Sequence, residues 1–202
     1  MNEKLITFIN AILAGLCIGI GCNIYLSCDS KYIGASLFSV GLITIITFGF
    51  NLYTGKVGYI ITKGSKFIVD VLIILFGNII GCILFGLLFP SDVAAHMCFV
   101  KLSTDLLTIF YKSIMCGLLM FIAVDSYKIN NNFLLTFLCI PTFILSKYEH
   151  SIADVVYLTM GGVFSPLSFR FIVVVILGNA IGGMLIPFCR KLKTKQYKII
   201  GE

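Results

Sequence analysis

Two polar breaks in otherwise apolar sequence carry the side chains best suited to chemistry. Residues 146–154 hold His150, with a lysine and a glutamate close to it, and residues 48–56 hold Thr54. Histidine exchanges protons near neutral pH because its ordinary pKa is about 6.5. An imidazole and a hydroxyl together can also hold a small polar species by hydrogen bonds. Because ionisable groups inside apolar segments are costly and usually functional, these breaks are the first candidates for a site.

The composition indicates that the bilayer is the solvent for most of the chain. Of the 202 residues, 59% are hydrophobic and 12% are charged, against a usual charged fraction of about 25%. A disordered chain and an ordinary soluble domain are both excluded. Eight cysteines lie mostly in apolar runs and form no C-x-x-C pair, which predicts neither zinc nor disulfides, and no cofactor is indicated. The expected surroundings are lipid, and nucleic acid is not an expected partner.

Six apolar runs are long enough, singly or in pieces, to span a bilayer, and they predict an all-α integral membrane protein with one transmembrane domain over residues 1–202. The fifth run is short and continues through the second polar break into Val155–Met160. The runs are Leu5–Ser27, Tyr32–Gly55, Phe67–Leu88, Leu106–Tyr127, Asn131–Leu145 with its continuation, and Phe169–Phe188.

The distribution of basic residues predicts that both termini are cytoplasmic in a multi-pass cell-membrane protein, with residues 191–202 forming a basic cytoplasmic tail. The net charge of +6 follows this orientation and does not point to a nucleic-acid partner. The cytoplasmic ends would carry Lys4, Lys56, Lys63, Lys66, Lys128, Arg190, Lys191, Lys193, Lys195 and Lys198, and the outer loops would carry Lys31, Lys101 and Arg170.

The two halves of the chain resemble each other. Residues 75–81, Leu-Phe-Gly-Asn-Ile-Ile-Gly, are echoed by residues 176–182, Ile-Leu-Gly-Asn-Ala-Ile-Gly. Three spans per half, in repeats of about 1–90 and 102–190, would invert the second half relative to the first, as in transporters and channels whose site lies at the membrane midplane. Each segment also has the G-x-x-x-G spacing that packs helices together, Gly77 with Gly81 and Gly178 with Gly182. An inverted repeat and helix packing can both be true.

Three motifs resemble the formate/nitrite transporter family, which includes formate, nitrite and hydrosulfide channels. They are Asn51-Leu52-Tyr53-Thr54-Gly55, Tyr148-Glu149-His150-Ser151-Ile152-Ala153, and residues 178–183. The similarity runs over nearly the whole chain. It implies an aquaporin-like fold of six spans with interrupted second and fifth helices, and a homopentamer. It also implies a pore in each protomer for small monovalent anions of weak acids.

The resemblance also implies roles for individual residues. Thr54 and His150 match the central threonine and histidine, and Lys112 matches a lysine that attracts the anion at the outer vestibule. The matches to the apolar constrictions are Phe38, Leu42, Leu52, Tyr53 and Phe143. The sequence departs from the family pattern where Asn51 replaces a usual acidic residue, and where Lys56, Gly117 and Asp154 replace usual amides.

Other polar residues are expected to support the two breaks. We expect Asn51, Asn78 and Asn179 to brace the loops, and Glu149 to accept backbone amides. Lys56 and Asp154 occupy related places in the repeats, so they could form a pair. Thr54 could in addition cap a half-helix that starts near Lys56.

The interpretation of the mechanism is a central His150 and Thr54 site between apolar constrictions. A bare anion pays a large desolvation cost there, so it is either stabilised by hydrogen bonds or protonated. Formate, nitrite, hydrosulfide or another small anion fits, and the bulk of Tyr53 and Phe143 favours the smallest. The half-helix dipoles would favour an anionic passenger.

Three alternatives remain at this stage. An aquaporin-type channel for neutral solutes would be expected to carry Asn-Pro-Ala at both half-helix tips, and neither Thr54 nor His150 is followed by it. A membrane enzyme could bind a metal through His150 with Asp154 or Glu149, although such a pair is a weak metal signal. A non-transporting structural pentamer would leave the polar residues of the breaks unexplained.

Overall fold

In the computed structural model, which describes residues 2–200 and the side chains of residues 2–193, the chain is helical and these residues contain no strand. The helices, in chain order, are α1 (Glu3–Ser27), α2 (Lys31–Leu37), α3 (Ser39–Thr47), α4 (Tyr53–Lys56), α5 (Ile60–Lys63), α6 (Phe67–Leu88), α7 (Asp92–Leu102), α8 (Leu106–Asn130), α9 (Leu134–Leu145), α10 (Ser151–Met160) and α11 (Pro166–Ile200). A single 3₁₀ turn, Val57–Tyr59, joins α4 to α5.

Four of these helices, α1, α6, α8 and α11, are long and apolar enough to cross a membrane. The remaining predicted spans are built from shorter apolar pieces, α2 and α3 in the first half and α9 and α10 in the second. Many large apolar side chains face outward, among them Leu72, Phe76 and Leu87 on α6. Such a surface is stable in lipid, so the prediction of an all-helical, multi-pass membrane protein is confirmed.

Several boundaries differ from the sequence prediction. A helix, α7, occupies the region predicted as an outer loop, and the last helix begins at Pro166 and continues to Ile200. A one-residue irregularity at Phe38 separates α2 from α3, although its backbone stays in the right-handed helical region. Of the predicted basic tail, residues 201 and 202 and the side chains after residue 193 lie outside the described part, as does Met1.

Both interrupted spans end their first helix in the same way. Gly49 after α3 and Lys147 after α9 have left-handed backbones, with φ of 70° and 55°. In each case the next amide bonds back to a helix carbonyl, Phe50 N to Ile45 O and Tyr148 N to Phe143 O, both at 2.9 Å. This arrangement satisfies carbonyls that the helix end would leave unpaired. The helix therefore ends with its last carbonyls bound at both breaks.

The long helices pack in two matched pairs, α1 with α6 and α8 with α11, through glycines. A Cβ on Gly15 of α1 would collide with the Asn78 carbonyl of α6, and a Cβ on Gly117 of α8 would collide with the Asn179 carbonyl of α11. Glycine is required at such contacts because it lets the backbones approach closely. The repeated motif of the sequence therefore makes matched helix contacts in the two halves.

We predict that Gly182→Ala destabilises the protein by about 1–3 kcal/mol, because the added methyl would overlap the Ile114 carbonyl and lie 2.8 Å from the Leu118 amide of α8. The matched control is Gly183→Ala, whose methyl meets the Val57 side chain at 3.2 Å instead of a backbone. Thermal unfolding of the two purified variants in detergent checks this. Equal unfolding temperatures would contradict the assigned close contact.

Candidate functional site

The first chain break is held by the side chain of Asn78 on α6. Its Oδ1 accepts the Tyr53 amide at 2.8 Å, at the start of α4. Its Nδ2 donates to the Asn51 carbonyl at 2.8 Å and to the Ala11 carbonyl of α1 at 2.7 Å. Asn78 is fully buried, and one side chain thus satisfies backbone groups on both sides of Leu52.

The second break is held in the same way by Asn179 on α11. Its Oδ1 accepts the Ser151 amide at 2.8 Å, and its Nδ2 donates to the Glu149 carbonyl at 2.9 Å and to the Ser113 carbonyl at 2.8 Å. By these matched hydrogen bonds, Glu149 is equivalent to Asn51, and Ser151 is equivalent to Tyr53. His150 therefore occupies the place in the second half that Leu52 occupies in the first.

Thr54 and His150 meet at the centre of the molecule. Thr54 Oγ1 and His150 Nε2 lie 3.0 Å apart, and both residues are buried. His150 is also the N-cap of α10, since its Nδ1 accepts the Ala153 amide at 3.1 Å. A nitrogen that accepts carries no proton, so the neutral ring is protonated at Nε2 and donates to Thr54 Oγ1. The Thr54 hydroxyl hydrogen is then free to bind another acceptor.

Two cavities lie next to residues of this pair, although Thr54 itself is on the wall of neither. The larger cavity, of about 440 Å³, has His150 and Phe143 on its wall, and the smaller cavity, of about 130 Å³, has Leu52 and Gly55 on its wall. Gly55 follows Thr54 directly in the chain. The larger cavity thus reaches His150, the smaller cavity reaches the direct neighbour of Thr54, and the hydrogen bond between Thr54 and His150 is itself buried.

The apolar residues predicted to form constrictions occupy different places. Phe143 stacks on the His150 ring with centroids 5.6 Å apart and meets Phe38 edge-on at 5.8 Å. Phe38 and Leu42 are buried, and neither is on the wall of the two cavities. Tyr53 is on neither wall, because its hydroxyl donates to the Ile176 carbonyl of α11 at 3.1 Å. Of the two bulky residues that favoured small anions, only Phe143 therefore lies against a cavity.

The sequence as a whole matches a known family model. The model described as "Formate/nitrite transporter" matches residues 2–190. The chain belongs to the formate/nitrite transporter family.

Individual proteins of known name are similar to this chain at low sequence identity. "Formate channel FocA" of Escherichia coli strain K12 is 26% identical over 195 residues, which cover 79% of this chain and 67% of the relative. The protein of the same name from Escherichia coli O157:H7 matches equally. Two solved structures are similar in fold. "FNT family ion channel" has a TM-score of 0.82 at 20% identity, covering 92% of this chain and 88% of that one. "Pentameric formate channel with formate bound" has a TM-score of 0.78 at 23% identity, covering 96% and 98%.

In this member of the family, four lysines and three carboxylates are on the wall of the larger cavity. Lys112, half-buried on α8, is on its wall, and so is Lys147 in the second break. The backbone of Lys147 is in the left-handed region, and for a residue other than glycine this conformation costs about 1–2 kcal/mol. Retaining a lysine there is consistent with a use for its charge. The smaller cavity has Lys56 and Lys128 on its wall.

Sequence reasoning missed Lys101, which lies on α7 and reaches into the second break. Its ammonium binds Glu149 Oε2 and lies 2.9 Å from Asp154 Oδ1. Burial alone lowers the pKa of Lys101, but the carboxylates of Asp154 and Glu149 outweigh this and hold that pKa above its ordinary value. No local pattern signals the contact, because the Lys101 and Glu149 positions are 48 residues apart in the chain.

The structure differs from three expectations about the residues that support the breaks. The Glu149 side chain binds Lys101 and not backbone amides. Asp154 pairs with Lys101 and not with Lys56. The first half-helix, α4, begins at Tyr53, so Thr54 lies inside its first turn and is not its cap. Asn51 turns its side-chain amide toward the Thr7 carbonyl of α1, at 3.5 Å.

The geometry also bears on the metal-binding alternative. Both nitrogens of His150 are already hydrogen-bonded, and the Asp154 carboxylate is turned to Lys101. Among the residues that the structure describes, no group of three side chains could hold a metal ion. His150 and Asp154 therefore have different partners, although their spacing would suit a helical metal pair.

We predict that Asn179→Leu destabilises the protein by about 2–5 kcal/mol, because the Ser151 amide and the Glu149 carbonyl lose their partner at a cost of about 1–3 kcal/mol each. Asn130→Leu, at an exposed position, serves as the control and should change little. Thermal unfolding in detergent measures both. A variant at Asn179 that is as stable as the control would show that the second break is held in another way.

Proposed function

We propose that this protein is a channel for small monovalent anions of weak acids, in the class of formate, nitrite and hydrosulfide. In this proposal six spans form two inverted repeats of aquaporin-like plan, both termini are cytoplasmic, and the assembly is a homopentamer with a pore in each protomer. Transport, and not catalysis of a reaction, is its activity. Family membership and the relatives named as channels support this proposal.

The matched contacts of the two halves support the inverted plan. Asn78 and Asn179 bind equivalent backbone groups, and each half contributes one interrupted span. With three spans per half, equivalent helices run in opposite directions across the membrane. In the orientation that the basic residues predict, the larger cavity opens to the outer side and the smaller cavity to the cytoplasmic side. The pentamer is proposed by likeness to the pentameric formate channel.

The single observation that carries the proposal is the buried Thr54 and His150 pair, with the larger cavity against His150 and the smaller cavity against Gly55, the neighbour of Thr54. The Nε2–H of His150 and the hydroxyl hydrogen of Thr54, which is not used in the bond between them, are two donors from which an incoming anion can accept. Each hydrogen bond to a charged group is worth about 1.5–3 kcal/mol. The N-terminal end of α10, next to His150, adds a favourable dipole for negative charge.

These magnitudes also limit the mechanism. Taking a bare monovalent anion into an apolar medium costs up to tens of kcal/mol, far more than two hydrogen bonds return. The anion therefore crosses the buried region around Phe143 and Leu52 with part of its charge neutralised. Lysines such as Lys112 and Lys147 concentrate anions at the outer end, where water still screens them.

Anion flux into proteoliposomes, compared for formate, nitrite and hydrosulfide, tests the proposal. We predict that His150→Ala and Thr54→Val slow the carried anion by about tenfold or more, as the loss of one hydrogen bond to a charge implies. Thr54→Ser keeps the hydroxyl and should retain most of the flux. His96→Ala removes the other histidine, which is on the wall of the larger cavity, and serves as the matched control.

The outcomes separate the alternatives. Flux of water or glycerol without anions would favour the aquaporin-type channel. Wild-type protein that carries none of these solutes would leave the family fold without the proposed activity. Variants of His150 and Thr54 that match the His96 control would move the anion pathway away from the central pair.

Lys147 offers a separate prediction on anion capture. Lys147→Gly should stabilise the protein by about 1 kcal/mol by relieving the left-handed strain, yet slow anion entry at low ionic strength. Lys147→Gln should slow entry equally without the gain in stability. Because salt screens charges over about 8–10 Å, both effects on flux should fade at high ionic strength. Unchanged flux in both variants at low salt would exclude Lys147 from capture.

A further inference from the structure

The buried carboxylate of Asp154 is unevenly bound. Its Oδ1 lies 2.9 Å from the Lys101 ammonium, which also binds Glu149. Its Oδ2 is buried and has no hydrogen-bond partner among the described residues. Asp154 is only 2% exposed, and it is on the wall of the larger cavity beside His150. A bare carboxylate oxygen in such a place costs several kcal/mol unless it is protonated or bound.

The charges around Asp154 do not balance. Two carboxylates, Glu149 and Asp154, share a single ammonium, that of Lys101. The charged groups that act on Asp154 are Lys101 of α7 and Glu149 of the second break. The titratable groups near enough to be affected by the charge of Asp154 are, besides these, Cys22 of α1, Cys98 of α7, Cys116 of α8 and Tyr157 of α10. Lys101 is the one cation in that set. A proton on one carboxyl would make the cluster neutral, as buried sites favour.

His150 is poorly placed to accept that proton. Its Nδ1 already accepts the Ala153 amide at 3.1 Å, so a proton there would face an N–H and break the cap of α10. Its Nε2 carries the hydrogen that reaches Thr54. Asp154 Oδ2, in contrast, can gain or lose a proton without breaking any hydrogen bond among the described residues.

We propose that Asp154 holds a proton on Oδ2 and delivers it to the anion at the central pair. This inference rests on the proposed anion transport. On inward passage the Oδ2–H bond breaks, its proton passes through water in the larger cavity to the anion, and the neutral acid crosses between Phe143 and Leu52. Asp154 is left as a carboxylate paired with Lys101, and hydronium from the outer side restores its proton. On outward passage the steps reverse, so one proton moves with each anion.

The position of Asp154 on the same cavity wall as His150 suits this role. His150 and Thr54 hold the anion while it still carries charge, and Asp154, four residues from His150 on α10, removes the charge before the apolar passage. An amide at this position could not transfer a proton. Asp154→Asn is therefore a nearly isosteric variant that leaves Lys101 paired with Glu149.

Infrared spectroscopy of the purified protein in detergent tests proton storage without any transport. We predict a carbonyl band of a protonated carboxylic acid that disappears in Asp154→Asn and persists in the matched control Asp70→Asn. Asp70 is on the wall of neither cavity. A wild-type spectrum at neutral pH, where exposed carboxyl groups are ionised, that lacks a band removed by Asp154→Asn would overturn the proposal, whether or not anions pass.

Proton-coupled flux tests delivery. Proteoliposomes containing a pH-sensitive dye should show proton entry with formate entry in the wild type and in Asp70→Asn, and we predict that Asp154→Asn loses roughly tenfold or more of the proton entry per anion. Gel filtration checks that the variant keeps its assembly.

The outcomes of the flux experiment are distinct. If the wild type carries the anion without protons, or Asp154→Asn keeps the wild-type ratio, the proposed channel stands and proton delivery by Asp154 is overturned. If the wild type carries no anion at all, the proposed function fails together with the delivery step, and the infrared band reports separately whether Asp154 holds a proton.

Discussion

A backbone amide that leaves a helix inside a bilayer finds no water to bind, and the centre of this molecule is organised around that constraint. Two buried asparagines, Asn78 and Asn179, each satisfy one amide and one carbonyl of a break, and each also ties that break to a neighbouring helix. Because both breaks are held from both sides, the side chain between the bound groups has little freedom. In the second half that side chain is His150, and its position follows from the need to satisfy the backbone.

The same constraint sets the chemistry of the histidine. As the N-cap of α10, His150 uses one ring nitrogen to satisfy the Ala153 amide, so its remaining hydrogen points to Thr54. A histidine held in this way is a good hydrogen-bond donor and a poor proton carrier. In the proposed mechanism the two tasks are divided, because His150 and Thr54 bind the anion and Asp154 exchanges the proton.

Charge burial explains the part played by α7. A glutamate and an aspartate next to the central pair would be costly in a low dielectric without a cation, since unpaired buried charges cost several kcal/mol. Lys101 supplies that cation from a helix outside the long spans. The connection between the two halves of the chain thus contributes a residue to the site, in addition to joining the repeats.

The sequence by itself determined the membrane environment, the family, the two breaks and the residues within them. These features were predictable because they are local: apolar runs, matched motifs and isolated polar residues are visible along the chain. The tertiary structure alone decided the partners. Lys101 binds Glu149 and Asp154 across more than forty positions, and Tyr53 turns its hydroxyl to α11, away from the cavities. The tautomer of His150 likewise depends on which amide faces its ring. These hydrogen-bond and ion-pair partners depend on distances between side chains that only folding brings together, so periodicity and composition do not predict them.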